Sequence, residues 1–573
     1  AGFPSMAVAW CLQDAGITLG QVAHVAVNSD PKANFGKKLA YAVTRRPDPR
    51  LVLDRIRNQS RRQSVEHELA QAFPGQAFAG KVHRIEHHLA HMGSCFLVSP
   101  FNEATVVSID GFGDFSSAAW GIGRGNAIDI EGRVLFPHSL GVFYQALTQY
   151  LGFPHYGDEY KVMGLAPYGQ PSRLAEMRQI VKLKDGGGFE LDTRFFRHHR
   201  ERIAYEWEGG SPSVGTLFSS DLEALLGPAR GKDGGLEQSH FDLARSVQAM
   251  YEEAFFHLLD HLQARHGLEA VTLAGGCAMN SVANGKIMRR TPYRRVYVQS
   301  AAGDAGGAIG SAMVVWQREG RATPSGGTID ALQQHTHASG RRGVLDGDAP
   351  AGRFVMDHAY LGPHYTDEDV QRLLSLRAAE IARLGCRIET VDDEDALFRR
   401  TARAVARGDV VGWFQGRMEW GPRALGNRSI VCDPRRADMK DILNRKIKRR
   451  ESFRPFAPSV LETHVSDWFE ENGDVPFMMQ VYQIRSERRS AIPAVTHVDG
   501  SGRLQTVYRA TNPRYWGLIE AFRQETNVPI VLNTSFNENE PVVCTPAEAL
   551  DCFLRTRMDL LVLGTVMITR EDA

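Results

Sequence analysis

Three observations predict an α/β fold. A short apolar run passes through a Gly turn into a helical pattern twice, with Val271-Thr272-Leu273-Ala274 before Gly275-Gly276 and Val296-Tyr297-Val298 before Gly303-Asp304. Short strand-like runs alternate with long helical ones along the chain. The length of 573 residues exceeds what one core organises, so two or three domains are expected.

The elements follow in order. Pro4-Ser5 opens an amphipathic helix that Gly16 ends, with no strand in front of it. Residues 23–28, 78–85, 104–109 and 116–122 read as strands, and Ile128 to Phe136 as a hairpin turning at Glu131-Gly132-Arg133. Helical patterns fill Leu140 to Leu151 and Phe241 to His266. Residues 321–355 are rich in Gly, Ser, Thr, Ala and Arg without periodicity and read as a linker or insertion. One domain is therefore expected over 1–320 and a second over 356–573. There is no internal repeat.

Composition narrows the function classes. At 43% hydrophobic and 23% charged the chain reads as an ordinary globular protein. Lys plus Arg and Asp plus Glu both total 67, so no global field recruits nucleic acid or an anionic membrane. The seven cysteines are scattered and never spaced Cys-x2-Cys, which reads as free thiols in a reducing cytoplasm. No apolar run approaches the roughly 18 residues of a membrane span, and the expected location is cytoplasmic. A basic stretch from Arg45 to Arg62 is interleaved with Asp48 and Asp54 and reads as a solvated helix face.

Chemistry concentrates in a few segments. His87-His88-Leu89-Ala90-His91 places two histidines four residues apart, which on a helix stacks them on one face. Such a pair also occurs as surface or hydrogen-bonded core histidines. Nineteen residues after His91, Asp110 opens the turn Asp110-Gly111-Phe112-Gly113-Asp114, placed where an actin-like ATPase sets its phosphate-facing hairpin. Asp304 is the natural fourth ligand, or else a helix N-cap. Two histidines with carboxylates suit iron, manganese or zinc and leave positions open. Gly275-Gly276 offers a close backbone approach, and Asn280 and Asn284 two amides for a nucleotide. Glu159 to Gly169 lacks periodicity and reads as a binding loop, with Lys161 a phosphate contact.

In the C-terminal region, Arg417, Arg423 and Arg428 share a Gly/Pro-rich loop beside Trp413 and Phe414. Arginine forks in such a setting answer a phosphate or carboxylate dianion. Each could instead pair with Glu419, Asp433 or Glu451. Lys448, Arg454, His497 and Arg503 add cationic or donor groups, and Asn533-Thr534-Ser535-Phe536-Asn537 adds amides and hydroxyls.

The order of these motifs carries a resemblance. HHLAH, the Asp110 turn, EYKVMGLAPYG, LAGGCAMN, the Asp304 loop, GRMEWGPRALGNRS, KIKRRESFRPFAP, THVDGSGRLQ and LNTSFNENEP together resemble the NodU/CmcH family of O-carbamoyltransferases over nearly the whole chain. The resemblance implies an actin-like (ASKHA, TsaD-like) ATPase domain followed by a YrdC-like α/β domain. It implies that the YrdC-like domain forms carbamoyl-adenylate from carbamoyl phosphate and ATP, with Mg accompanying the ATP. The TsaD-like domain then transfers the carbamoyl group to a hydroxyl of a small antibiotic- or sugar-like metabolite. Carried over by position, His87, His91, Asp110 and Asp304 hold a metal, Fe(II) or another divalent ion. Lys161, Gly275, Gly276, Asn280 and Asn284 line the nucleotide site; Arg423, Lys448, Arg454, Arg503, Asn533 and Ser535 line the carbamoyl phosphate site.

Relatives begin with a strand and hairpin carrying a His-Asp element, and this chain starts after it, so a longer native protein is expected and no general base is named. The alternative is threonylcarbamoylation of tRNA, which uses the same two kinds of domain. The neutral charge argues against it, because a tRNA enzyme presents a strong basic surface. Neither a nucleic acid nor a membrane partner is expected, and a homodimer is left open.

Overall fold

The structure is a computed structural model describing residues 3–45, 64–206, 212–320, 345, 347–350, 352–448 and 453–570. The basic stretch beyond Arg45 and positions 321–344 of the expected linker lie outside the described residues.

Two mixed sheets organise the chain. The first runs in the order Arg295–Val298, Ala270–Ala274, Glu103–Gly113, Ser116–Arg124, Ala127–Leu135. Glu103–Gly113 is parallel to Ala270–Ala274, which is parallel to Arg295–Val298. These three strands therefore end at one edge, where Asp110 lies in the last residues of Glu103–Gly113 and Gly275 and Asp304 follow the other two. That edge is the usual ligand position of an α/β sheet. All five residues of Ala270–Ala274 are buried, as a central strand covered on both faces requires.

The helices His87–Phe96 and Gly306–Glu319 cross on this sheet at Gly93 and Gly310. A Cβ added at Gly310 would overlap the Ala90 carbonyl oxygen, so the contact is backbone to backbone and admits only glycine. His24–Val27 and Lys81–Arg84 form a separate parallel pair. The second sheet has the order Cys386–Thr390, Val566–Arg570, Leu560–Leu563, Val411–Phe414, Arg428–Cys432, Ile530–Ser535, Ala457–Leu461, Gln505–Val507. Its core includes Trp413, Ile430, Val531 and Leu561.

The core of the first sheet recruits Leu425, Phe477, Met478 and Met479 from the C-terminal region. Asn284 Nδ2 donates to the Met479 carbonyl at 3.0 Å and the Val481 N–H to the Ser281 carbonyl at 2.9 Å.

Two expectations are corrected. Ala127–Leu135 is one strand, turning from its neighbour at Gly125-Asn126, not a hairpin at Glu131-Gly132-Arg133. Gly132 faces Trp120 across the strands and leaves room for the indole, so the glycine serves a ring and not a turn. The EYKVMGLAPYG segment is a helix, Glu159–Leu165, continued by a 3-10 turn at Ala166–Tyr168. Val162 and Leu165 are buried, and the segment packs against the long helix Gln238–His266, a tertiary contact that its irregular pattern does not announce.

Candidate functional site

The first constellation gathers at the common strand edge. Helix His87–Phe96 begins with Glu86 accepting the Leu89 N–H at 2.9 Å, and it buries both His87 and His91. Their Nε2 atoms lie 3.0 Å apart. Asp110 Oδ2 lies 2.9 Å from His87 Nε2 and 3.0 Å from His91 Nε2. Asp110 Oδ1 instead accepts the N–H groups of Gly111 at 2.8 Å and Gly276 at 3.0 Å. One carboxylate oxygen is thus pinned by backbone and the other aimed at the histidines. Asp304 Oδ1 completes the set at 3.6 Å from His87 and 3.5 Å from His91. Asp304 does not cap the helix Gly306–Glu319, which has no side-chain cap.

Donor atoms of the four side chains lie within 4.8 Å of one another. Two imidazole nitrogens 3.0 Å apart, both aimed at one carboxylate oxygen, form a donor set that a cation between them would engage through every lone pair. The residues therefore fit a divalent ion. Burial disfavours a charged His91, but hydrogen bonds and charge from Asp110 and Asp304 outweigh it and lift the imidazole to about 9. Burial also disfavours an ionised Asp110, yet its bonds to His87 and His91 hold its carboxyl well below the usual range. The local field is negative and favours a cation. His88 differs: it is fully buried with Nδ1 2.8 Å from Ser108 Oγ, and burial with His87 and His91 beside it lowers its pKa to about 3.

Asp114, not singled out as a ligand by sequence reasoning, holds the ensemble together. Its Oδ2 accepts the His87 N–H at 2.9 Å and the Asp30 N–H at 2.7 Å, and its Oδ1 accepts from Ser29 at 3.0 Å. Its backbone stands at φ +47°. The Gly-rich hairpin spelling does announce such a turn, but not its partner. Tyr156, also missed, carries a hydroxyl whose pKa is pushed up by burial and then by Asp304 and Asp110. The residue as a whole is half-exposed, while the charges of both carboxylates reach its hydroxyl.

The residues expected around a nucleotide are adjacent. Gly275 adopts φ +88° and passes so close to Ile109 that a side chain is excluded, while Gly276 touches Asp110. Asn280 and Asn284 are turned toward protein partners. Asn280 Oδ1 caps the Ala283 N–H at 3.1 Å and its amide bonds Gln248 at 3.0 Å; Asn284 bonds the Ala278 carbonyl at 2.7 Å. Lys161 pairs with Asp158 at 2.9 Å and lies over the Phe153 ring.

The C-terminal constellation separates the three loop arginines. Arg417 pairs with Asp14 at 2.8 Å. Arg428 is fully buried and donates to the Gln415 carbonyl at 2.6 Å and the Pro363 carbonyl at 3.1 Å, with its guanidinium 3.7 Å from the Phe414 ring centre. It holds the loop through these carbonyls. Glu419 organises the same loop, its Oε1 accepting the N–H groups of Leu425, Asn427 and Arg428 at 2.8, 2.7 and 3.1 Å. Arg423 remains: its Nε is buried without a partner, and burial, partly offset by Tyr160, pulls it down to about 10.

Lys448 reaches the Asn537 carbonyl and Oδ1, both at 2.7 Å, and Ser535 Oγ at 3.3 Å. Asn533 Nδ2 donates to the Ala424 carbonyl and Ser459 Oγ, both at 3.0 Å, which leaves its buried Oδ1 without a donor. Arg454 stacks on Tyr160 with its guanidinium 4.6 Å from the ring centre, and Phe453 lies against Gly164. The helix carrying Lys161 thus meets the segment carrying Arg454. Tyr160 lies inside a quoted motif, but a spelling alone does not show which residue faces the other domain.

Comparison with known proteins bears on this arrangement. The family description "Carbamoyltransferase N-terminus" matches residues 7–313 and "Carbamoyltransferase C-terminus" matches residues 402–570. An uncharacterised protein of Synechocystis sp. is 36% identical over 100% of this chain and 91% of its own. Nodulation protein NolO of Bradyrhizobium diazoefficiens is 38% identical over 85% and 79%. The 3'-hydroxymethylcephem-O-carbamoyltransferase of Streptomyces clavuligerus is 31% identical over 54% and 50%. Among solved structures, HypF of T. kodakarensis aligns over 42% of this chain and 38% of its own at 19% identity and a TM-score of 0.23, too slight a likeness to bear on the fold. No helix among the described residues is long and apolar enough to cross a membrane. With both halves of the family description matched in order across most of its length, the chain belongs to the carbamoyltransferase family of NodU/CmcH type, enzymes that transfer carbamoyl groups.

Proposed function

We propose that the chain is an ATP-dependent O-carbamoyltransferase. Residues 356–573 act as a YrdC-like domain in which one water cleaves carbamoyl phosphate to carbamate and phosphate, and a carbamate oxygen then attacks the α-phosphorus of ATP to give carbamoyl-adenylate with loss of pyrophosphate. Residues 1–320 act as an actin-like, TsaD-like domain that passes the carbamoyl group to a hydroxyl of a small metabolite, releasing AMP. The observation that carries this reading is the contact of Arg454 with Tyr160, which joins the arginine-bearing segment to the helix beside the histidine–aspartate cluster. Two half-reactions that share a labile intermediate require such adjoining sites.

Arg423, Arg454, Arg503 and Lys448 bind the phosphate dianion in a pocket poor in water, and Asn533 and Ser535 orient the remainder. Gly275 and Gly276 admit the nucleotide backbone-close, Lys161 supplies positive charge, and Asn280 and Asn284 keep that turn in shape. A divalent ion such as Fe(II), held by His87, His91, Asp110 and Asp304, would supply Lewis-acid neutralisation of the AMP phosphate as the carbamoyl group leaves. The acceptor class follows from the cephem relative, whose name states O-carbamoylation of a hydroxymethyl group.

The test is a mixture of full-length protein, ATP, Mg, carbamoyl phosphate and a panel of hydroxylated metabolites. Pyrophosphate, AMP and a product heavier by one carbamoyl group are expected. Absence of any carbamoyl phosphate-dependent nucleotide turnover would overturn the reading.

A further inference from the structure

The turn Thr496–Arg503 carries a side-chain relay whose end is left open. The His497 N–H donates to the Ser501 carbonyl at 2.8 Å and the Gly500 N–H to the His497 carbonyl at 2.9 Å, so the turn is closed at both ends. Ser501 Oγ lies 2.6 Å from Asp499 Oδ1 and 3.2 Å from His497 Nδ1. An ionised carboxylate only accepts, so the Ser501 proton goes to Asp499. The Ser501 oxygen then accepts, and His497 Nδ1 must be the donor. The tautomer is thereby fixed, and Nε2 carries the lone pair.

That Nε2 is buried and has no partner. The charged groups around the ring are Asp499, Arg503 and Lys440; burial first, opposed by Asp499 and helped by Arg503 and Lys440, lowers the imidazole to about 4 and keeps it neutral. A buried acceptor with nothing to accept from is costly unless a ligand supplies the donor. Asn533 Oδ1 is likewise buried and unpartnered. The Asn533 amide is tied at 3.1 Å to Gln505, two residues along the chain from Arg503. Beside Arg503, a cation suited to a phosphate, His497 therefore presents an acceptor that a phosphate dianion cannot satisfy.

We propose that His497 Nε2, with Asn533 Oδ1, accepts hydrogen bonds from the amide of carbamoyl phosphate, making His497 the residue that selects a carbamoyl group over other acyl phosphates. The proposal rests on the reading that this site takes carbamoyl phosphate. Acetyl phosphate is the discriminating probe, because a methyl replaces the amide while the phosphate is kept. Its loss of donors leaves both acceptors unsatisfied, the situation in which polar sites reject an analogue most strongly.

The experiment measures pyrophosphate release by the full-length protein against carbamoyl phosphate, with acetyl phosphate and inorganic phosphate as competitors. For His497→Ala, kcat/KM for carbamoyl phosphate should fall about tenfold to a hundredfold, the loss of one buried hydrogen bond, while inhibition by acetyl phosphate and by phosphate stays unchanged. His497→Gln, which returns an oxygen near the Nε2 position, should recover part of the loss. Ser501→Ala, which frees the tautomer, should lose selectivity with the phosphate competitors unaffected. If the alanine variant does not fold, the Gln and Ser variants carry the same comparison. Equal weakening of all three phosphates, an unchanged kcat/KM, or wild-type binding of acetyl phosphate as tight as carbamoyl phosphate would overturn the proposal. Wild-type protein with no carbamoyl phosphate-dependent pyrophosphate release would instead overturn the parent reading, and the proposal with it.

Discussion

Asp110 divides its two oxygens between backbone and site, and that division sets what its loss would do. Asp110→Asn keeps an oxygen for Gly111 and Gly276 but places an amide against His87 and His91. Metal affinity should fall at least about a hundredfold with the melting temperature little changed, as elemental analysis and calorimetry would report. His88, next to His87, is a stability residue. Its folded pKa is depressed to about 3 against an ordinary 6.5, so the unfolded chain binds a proton that the folded one refuses. Stability from this group is present above about pH 6.5 and is lost as pH falls toward 3. Between pH 7 and 5 the wild type should lose about 2 kcal/mol through it. His88→Gln should show a correspondingly shallower pH dependence in denaturant unfolding.

Among the elements, the crossing of His87–Phe96 and Gly306–Glu319 matters most, because both ends of the histidine–aspartate cluster hang from it. A Cβ at Gly310 would meet backbone atoms of Ala90 and Ser94, which have no rotamer to yield. Gly310→Ala should destabilise by about 3 kcal/mol and weaken binding of an added divalent ion, because Ala90 precedes His91. Helical histidine spacing was legible in the spelling, since a single helix repeats every 3.6 residues. The conversion of EYKVMGLAPYG from an expected loop to a helix was not. Its two buried residues, Val162 and Leu165, are stabilised by a helix that lies some eighty residues later in the chain. Likewise Gly132 is spelled like a turn, and only the register that places it opposite Trp120 assigns it to a strand.

At the scale of the molecule the two constellations should separate by half-reaction. Arg423→Ala should abolish carbamoyl phosphate-dependent pyrophosphate release while leaving metal content intact. Asp110→Asn should leave pyrophosphate release measurable and abolish product formation. Equal loss of both activities in both variants would contradict the division. Tyr160, stacked under Arg454 and near Arg423, sits where the two meet. Tyr160→Ala should lower product formed per pyrophosphate released, a ratio that neither half-reaction alone sets.

By itself the sequence determined which chemistry is present: the His–x3–His pair, the Asp110 and Asp304 turns, the paired glycines and the arginine loop are all local spellings, and their order points to one family. Local periodicity and turn chemistry act over a few residues, so they are readable without the fold. Only the tertiary structure decided which of three loop arginines keeps a buried nitrogen without a protein partner, because Arg417 and Arg428 find Asp14 and buried carbonyls far away in sequence. It alone brought Asp114 under His87 and left His497 Nε2 and Asn533 Oδ1 as open acceptors. Whether a buried polar atom is satisfied depends on every neighbour that packing brings to it, and no single segment of chain records that.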